Sequence, residues 1–546
     1  MNRREFFKGN ALAGIALGID AFAWNSQAKA AAGTPQIDPV TLVPEHFGQV
    51  DLGADGRLLK AGFSERDITP GAGMQMPGNY LPAFIKGFHD PCKVRAAVFD
   101  DGAMSIALVG IDSVVVPDSV VADARKEIQA RCGIAPDAVM IGAAHNHSGG
   151  PIGMIQPGQF EHASALVRHL AFDESQVADP GYVALVTREI VNSVCEAHDN
   201  RVEAYCGSAT GTEDKVAFTR QFHMKNGLTY THPGQGNPDI VSPAGPIDPQ
   251  GGVIGTWDKN GRFLGCVVNY TCHVTTNPGG GSDASANWVY YMEKVIRGAM
   301  GAEVPVIFMQ GAAGNVTQVD NLSPYKYPQN TQWAEFVGGR VGAEAVKVLL
   351  TMVPGNLAPL SAKSTVLQIK RRVPSAQHVR EAYDTVKQDI NSVDRTKWIF
   401  AKETVLLDYM IKLNPVVPVE IQAIQVGPAV FVSNPAELFC QAGLDIKAGS
   451  HFPQTFVVAY ANGAVGYVPT EEVLGVRGGG YEARLSSYTN LEVTASTQIV
   501  KAGVDLVSQL KPGGAPTPEK HTPFTSNSKS SGTHAWAYGD VPPELD

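Results

Sequence analysis

Cysteine is sparse in this chain and never closely spaced. Its 546 residues hold seven, at Cys92, Cys132, Cys195, Cys206, Cys266, Cys272 and Cys440. No two form a CxxC pair, which argues against a thiolate metal cluster. The odd count leaves at least one thiol without an intrachain partner. An oxidising compartment would permit a disulfide, but the spacing does not choose the pair. An excess of positive charge is also missing: the net charge is −10. That argues against a nucleic-acid partner, because phosphate binding needs a basic face. No segment after the N-terminus reaches about 18 uninterrupted apolar residues, so no membrane span is expected. What is present is an ordinary globular composition, 44% hydrophobic and 18% charged, which excludes disorder of the whole chain. Glycine (57) and proline (36) are plentiful and imply many loops and turns. The length suits one large domain or two to three smaller ones.

The N-terminus carries an address. Arg3-Arg4 precedes Phe6-Phe7-Lys8, and a mostly apolar run follows from Ala11 to Trp24. Ala28-Lys29-Ala30 has the small-x-small form of a cleavage site. The run is short and interrupted by Asp20, so residues 1–30 read as a signal peptide and not an anchor. The paired arginines are of twin-arginine type, a route that exports folded proteins to the periplasm or beyond. Residues 31–60 read as a loop-rich extension, 61–510 as the folded catalytic domain, and 511–546, rich in Pro, Gly, Ser and Thr, as a loosely packed tail.

Within the body, strands and helices alternate. Lys93–Phe99 and Met104–Val109 flank Asp100-Asp101-Gly102, a hairpin pattern. Asp118–Arg131 has helical spacing. Ala138–Ala144 is a buried strand running into His145-Asn146-His147. Gly265–Tyr270 is a second strand, ending at Thr271-Cys272-His273. A helix over Asn287–Gly301 leads to a third strand, Val304–Met309, which ends at Gln310-Gly311-Ala312-Ala313-Gly314-Asn315-Val316-Thr317. Residues 376–412 look helical, Val419–Val432 and Thr455–Tyr460 look like strands, and Thr494–Leu510 reads as a last helix. The fold class is α/β, with mixed sheets and flanking helices in a single large catalytic domain.

The chemistry sits at strand ends, the usual site position in such folds. His145 and His147 are two apart, so an extended backbone would place both on one face. There they would hold a metal together, or one would bind while the other moves protons. His273 alone reads equally as a core histidine. The 310–317 loop is either a tight turn or a cradle of amides for an oxyanion. Glu437, Tyr467 and Tyr481 taken singly read as surface and packing residues. The residues alone therefore give an exported α/β protein with histidines at its strand ends and a metal site.

Taken in order, several segments resemble the neutral/alkaline, non-lysosomal ceramidase family. They are Ala61-Gly62-Phe63-Ser64-Glu65-Arg66-Asp67-Ile68-Thr69-Pro70, His145-Asn146-His147-Ser148-Gly149, Cys272-His273-Val274-Thr275, the 310–317 loop, Asn434-Pro435-Ala436-Glu437 and Gly466-Tyr467. The resemblance runs from about Ala61 to about Leu510. It implies one zinc ion held by His145, His273, Glu437 and Tyr467, a nitrogen and oxygen set that leaves a position for water. It implies catalytic roles for His147, Arg220 and Tyr481: a proton carrier, then two groups that stabilise an oxyanion. Gly314, Asn315 and Thr317 fall in the substrate or oxyanion loop. The family's serine in that loop is a threonine here, Thr317, and metal-activated water does not need its hydroxyl. The chain ends too early for the family's C-terminal immunoglobulin-like domain. The implied activity is hydrolysis of an amide (N-acyl) bond in a small-molecule or lipid-like substrate. The alternatives are a zinc hydrolase for another bond, as in a glycan or small amide, and a non-catalytic exported binding protein. Nothing in the sequence sets the oligomeric state.

Overall fold

The computed structural model describes residues 42–44, 47–48, 58–153 and 155–518. The signal peptide expected at 1–30, most of the extension before residue 60 and the tail beyond 518 lie outside the described residues.

Two sheets carry the body. The larger contains β1 (Lys60–Asp67), β2 (Lys93–Asp100), β3 (Ser105–Ile111), β4 (Val139–Ala143), β5 (Val202–Thr212), β6 (Gln250–Asp258), β7 (Phe263–Tyr270) and β8 (Val306–Gln310). Their spatial order is β8-β7-β6-β5-β1-β2-β3-β4. The terminal pairs β8/β7 and β3/β4 are parallel and the strands between them antiparallel. The β2–β3 hairpin matches expectation, with Val98 opposite Ala107 and the Asp101 carboxylate accepting from the amides of Ala103 and Met104 at the turn. The smaller sheet runs β9 (Leu360–Lys370), β10 (Val416–Val426), β11 (Ala429–Ser433) and β12 (Gln454–Val458) in that order.

The ends of the large sheet meet. A Cβ on Gly110 of β3 would lie 2.5 Å from the carbonyl oxygen of Phe308 on β8, so only glycine permits this approach. Strands near the meeting point separate two cores. Val306 and Phe308 enter one, while Ile307 and Met309 enter the other. Val430 and Val432 of β11 likewise part from Ala429 and Phe431. Burial on both faces is why these strands read as unbroken apolar runs.

Nine helices are found among the described residues: α1 (Asp118–Cys132), α2 (Ala165–Phe172), α3 (Pro180–Asp199), α4 (Trp288–Met300), α5 (Thr331–Thr351), α6 (Ala376–Thr385), α7 (Arg395–Leu413), α8 (Cys440–Gly449) and α9 (Ala495–Val507). The first core is covered by α4 and α5 through Trp288, Met292, Ile296, Val337 and Val341. The second is covered by α1 and α3 through Val120, Ala124, Ile128, Val186 and Ile190. The spacing is that of amphipathic helices. A satellite core under α2, α6 and α7 contains Val167, Leu170, Ala382, Trp398 and Val405.

Two expected elements are divided. The helix expected over 376–412 is two, because Asp394 caps a new start by accepting from the amide of Lys397. The strand expected over Val419–Val432 is a hairpin, turned at Gly427 with φ 57°. Helices α3 and α5 and strands β5, β6 and β9 were not anticipated. Cys132 and Cys195 form a disulfide between α1 and α3, with Cα atoms 5.8 Å apart and 63 residues of separation. Chain-entropy arguments give such a link about 4 kcal/mol. The remaining five cysteines are buried free thiols. No described helix is long and apolar enough to cross a membrane.

Candidate metal and catalytic centre

The site forms where strand ends and short strand pairs converge. His145 lies just past β4, and His273 just past β7. Glu437–Leu438 pairs in parallel with Tyr467–Val468, which sets Glu437 beside Tyr467. Phe218–Thr219 pairs with Val316–Thr317, and the Arg220 amide donates to Asn315 O at 3.0 Å. His145, His273, Arg220, Glu437 and Tyr467 are all buried.

Backbone carbonyls fix the imidazole tautomers. His145 Nδ1 donates to Val114 O at 2.8 Å. His273 Nδ1 donates to Ala313 O at 2.8 Å and Val316 O at 3.0 Å. The backbone of Gly78 receives the same bond from His147. A carbonyl only accepts, so each proton sits on Nδ1 and each Nε2 presents a lone pair. Those lone pairs face one another. His145 Nε2 and His147 Nε2 are 3.2 Å apart, and the ligand atoms of the three histidines lie within 4.8 Å of one another. Glu437 Oε2 is 3.1 Å from His145 Nε2 and 3.6 Å from His273 Nε2. Three lone pairs and a carboxylate gathered in a buried space are the chemical complement of a divalent cation, and the donor types suit zinc. Carbonyls behind the rings orient them as second-shell partners do in metal sites.

The extended HxH geometry expected from sequence is not found. His145 has φ 60°, a left-handed turn that rotates the segment and brings the two rings edge to face at 4.8 Å. The pair meets because the strand has ended, not because it alternates. Gly78 accepts this crowding: its φ is 102°, and a Cβ there would lie 2.2 Å from His147 Nδ1.

Arg220 is committed on every side. Its Nε donates to Glu482 Oε1 at 2.6 Å, Nη2 to Gly314 O at 2.6 Å and to Tyr467 OH at 3.0 Å, and Nη1 to His273 Nε2 at 3.2 Å. The hydroxyls of Tyr467 and Tyr481 are 3.0 Å apart. Burial, then the charge of Arg220, holds His273 well below the usual imidazole range. Burial and the neighbouring His145 push His147 down to about 3. Burial would raise Glu437, but His145, Tyr488 and Arg220 outweigh it and keep the carboxylate ionised below its ordinary value. Burial raises the Tyr467 phenol well above 10. His147 and His273 held neutral and Glu437 held ionised are in the states in which such groups bind metal.

A cavity of about 70 Å³ opens onto this centre, lined by Gly78, Asn79, Tyr80, Val114, His145, His147, Glu437, Tyr467, Tyr481 and Tyr488. Asn79, Tyr80, Val114 and Tyr488 were missed in the sequence because no motif marks them. The segment Gly78-Asn79-Tyr80 carries no periodic signal, and Val114 acts through its carbonyl. Gly314, Asn315 and Thr317 are buried near the centre but do not line the cavity. The Gly314 amide donates to Leu438 O at 2.9 Å, Asn315 Oδ1 accepts from the Cys440 amide at 2.9 Å, and Thr317 sits in the pairing with Phe218. Of the two readings of this loop, tight turn or amide cradle, the Gly314 amide serves the turn, since it is already bonded to Leu438 O.

The fold and centre define an α/β protein with a buried histidine, glutamate and tyrosine cluster. No family model and no curated protein matches the chain. Among solved structures, a neutral ceramidase from Pseudomonas aeruginosa is similar with a TM-score of 0.61 at 20% identity, covering 84% of this chain and 77% of that one. A ceramidase complexed with C2 is similar with a TM-score of 0.61 at 16% identity, over the same shares. The chain therefore has the ceramidase fold, which agrees with the resemblance read from its motifs.

Proposed function

We propose that this protein is an exported zinc-dependent hydrolase of amide (N-acyl) bonds. The observation that carries the reading is the convergence of the His145 and His273 Nε2 atoms on Glu437 Oε2, with His147 Nε2 3.2 Å from His145 Nε2 and each ring held from behind by a carbonyl. His145, His273, Glu437 and Tyr467 would hold the ion. When bound, zinc supplies Lewis acidity that lowers the pKa of water from about 16 to about 7 and polarises an acyl carbonyl. His147, neutral and lining the cavity, takes a proton at Nε2 and returns it to the leaving amine. Tyr481, at the cavity wall, donates its phenolic hydrogen to the oxygen that gains charge. Arg220, whose four bonds lock Tyr467, His273, Gly314 and Glu482 together, holds Tyr467 and Tyr481 in place. The amide specificity is supported by the fold likeness to ceramidases. Export is supported by the Arg3-Arg4 signal and by the Cys132–Cys195 disulfide, since disulfides persist in oxidising compartments.

Elemental analysis of the purified protein beside turnover on a panel of N-acyl amines tests the reading. About one zinc per chain with amide turnover is expected. Folded protein that binds no zinc would sink it, and zinc-dependent cleavage of glycans alone would move it to another bond. Replacement of Arg3-Arg4 by Lys-Lys should hold the precursor inside the cell; unchanged export would point to the general secretory route.

A further inference from the structure

The cavity has walls that belong to none of the motif residues: one hangs on the satellite core, and the other packs beside Tyr467. Segment 76–81 supplies Gly78, Asn79 and Tyr80 to the cavity. Leu81 packs against the satellite core. Gln176 Nε2 donates to Met76 O at 2.7 Å, and its Oε1 accepts from the Asn79 amide at 3.2 Å. The Tyr80 ring lies 5.6 Å from that of Phe400 on α7. A second wall residue, Tyr488, belongs to the turn 486–490.

One pair on α7 touches both walls. Lys402 is fully buried. Its ammonium donates to Tyr80 O, to Glu174 O at 2.9 Å and to Ser175 Oγ at 2.7 Å, and pairs with Glu403 Oε1 at 3.0 Å. The other carboxylate oxygen of Glu403 accepts from Ser487 Oγ, next to Tyr488. Adjacent helical residues diverge by about 100°, so the two side chains reach different segments while their charges stay joined. A buried ion pair adds little net stability over an apolar pair, because desolvation offsets attraction. Its use here is geometric: the acceptors are loop carbonyls and a hydroxyl, not a packed core.

We propose that Lys402 and Glu403 are positioning residues that set the distance between the Tyr80 and Tyr488 walls, and so control how a substrate enters the cavity. The kinetic part of this inference rests on the hydrolase reading; the structural part does not.

The test compares Glu403→Gln, Ser487→Ala and Lys402→Met in the full, zinc-loaded chain, by hydrogen exchange and by kinetics on an N-acyl amine. Exchange in peptides covering 76–81 and 486–490 should rise by about tenfold in Glu403→Gln and Lys402→Met, and less in Ser487→Ala, with the rest of the body unchanged. Zinc content should stay at the wild-type level. KM should rise about tenfold while kcat changes by less than about threefold, the mark of lost substrate positioning. Unchanged exchange at both segments in folded Glu403→Gln overturns the clamp, as does a rise spread evenly over the molecule, which would mean a merely structural role. A fall in kcat at constant KM also overturns it. If Lys402→Met does not fold, Glu403→Gln and Ser487→Ala decide the matter. If the wild type turns over no amide, the hydrolase reading fails while the exchange pattern still judges the clamp.

Discussion

The inner and outer halves of the centre are built differently. The inner half, His145, His273, Glu437 and Tyr467, stands on strand ends and short strand pairs beside the first core and a small cluster of Phe439, Tyr467 and Val473. Each imidazole has a carbonyl behind it, and Arg220 ties the group together. The outer half, Gly78 to Tyr80 and Tyr488, comes from loops held by Gln176, Lys402 and Glu403, and Tyr488 is tied inward as well, its carbonyl accepting from the Tyr467 amide at 3.1 Å. Chemistry that needs fixed lone pairs sits on the part that cannot shift without unpacking a sheet. The segment Gly78 to Tyr80, which lines the cavity, is held by a few hydrogen bonds and one ring contact. His147 belongs to both: its chain position is inner and its Nδ1 partner is outer.

The sharpest way to break this contrast is to remove an inner ligand. His145→Ala or Glu437→Gln should lose zinc and turnover together, since the site's donor set is no longer complete; elemental analysis beside an activity assay checks it. His147→Ala should keep its zinc and slow turnover by about 10²–10⁴-fold, as expected for a lost proton carrier. Equal zinc loss in both histidine variants would show that His147 is a ligand as well.

The backing of the inner half offers a third test. Arg95 bonds Asp112 at 2.8 Å and Glu293 at 2.5 Å, all buried, and Asp112 O accepts from Asn146 Nδ2 between the two histidines. Burial opposes ionisation of Glu293, but Arg95, Lys93 and Arg297 prevail and hold its carboxyl down to about 2. Its folded value is depressed, so its contribution is present above the unfolded value of about 4.3 and is lost as pH falls from there toward about 2. Urea midpoints should therefore drop through that window in the wild type and drop less in Glu293→Gln. At neutral pH that variant should be about 3–5 kcal/mol less stable, because Arg95 loses a buried partner. A wild-type midpoint flat to acid would contradict the assignment.

The smallest effect is expected at Thr317. Its hydroxyl accepts a long bond, 3.5 Å from the Val319 amide, and among the described residues no base is hydrogen-bonded to it for activation as a nucleophile. Thr317→Ala should keep turnover and cost about 1 kcal/mol in a denaturant titration. An acyl adduct trapped on Thr317 would reverse this.

Much of the body was legible because local rules and burial agreed. Apolar runs such as Val304–Met309 and the Asp100-Asp101-Gly102 turn carry their own signal, and the strands and hairpin formed where expected. Long helices such as α5 were missed: glycines at Gly338, Gly339 and Gly342 weaken the local signal. At Gly338 and Gly342 a Cβ would meet α4 backbone at 2.1 and 2.8 Å, a reason that exists only once α4 is in place. The Cys132–Cys195 pairing was hidden in the same way, since it depends on how α1 lies against α3.

The amino-acid order by itself determined which residue types stand at the strand ends, that an α/β body would present them, and that nitrogen and oxygen donors were available for a metal. Only the tertiary structure decided the geometry. It turned His145 left-handed onto His147 and placed Glu437 beside Tyr467 through a two-residue strand pair. It committed the 314–317 loop to joining strands, and hung Tyr80 and Tyr488 on a buried ion pair more than 300 and about 85 residues away in the chain, respectively. The reason is physical: spacing fixes what a segment can offer, but a lone pair's direction and a carbonyl's last acceptor site are set by whatever packs against them.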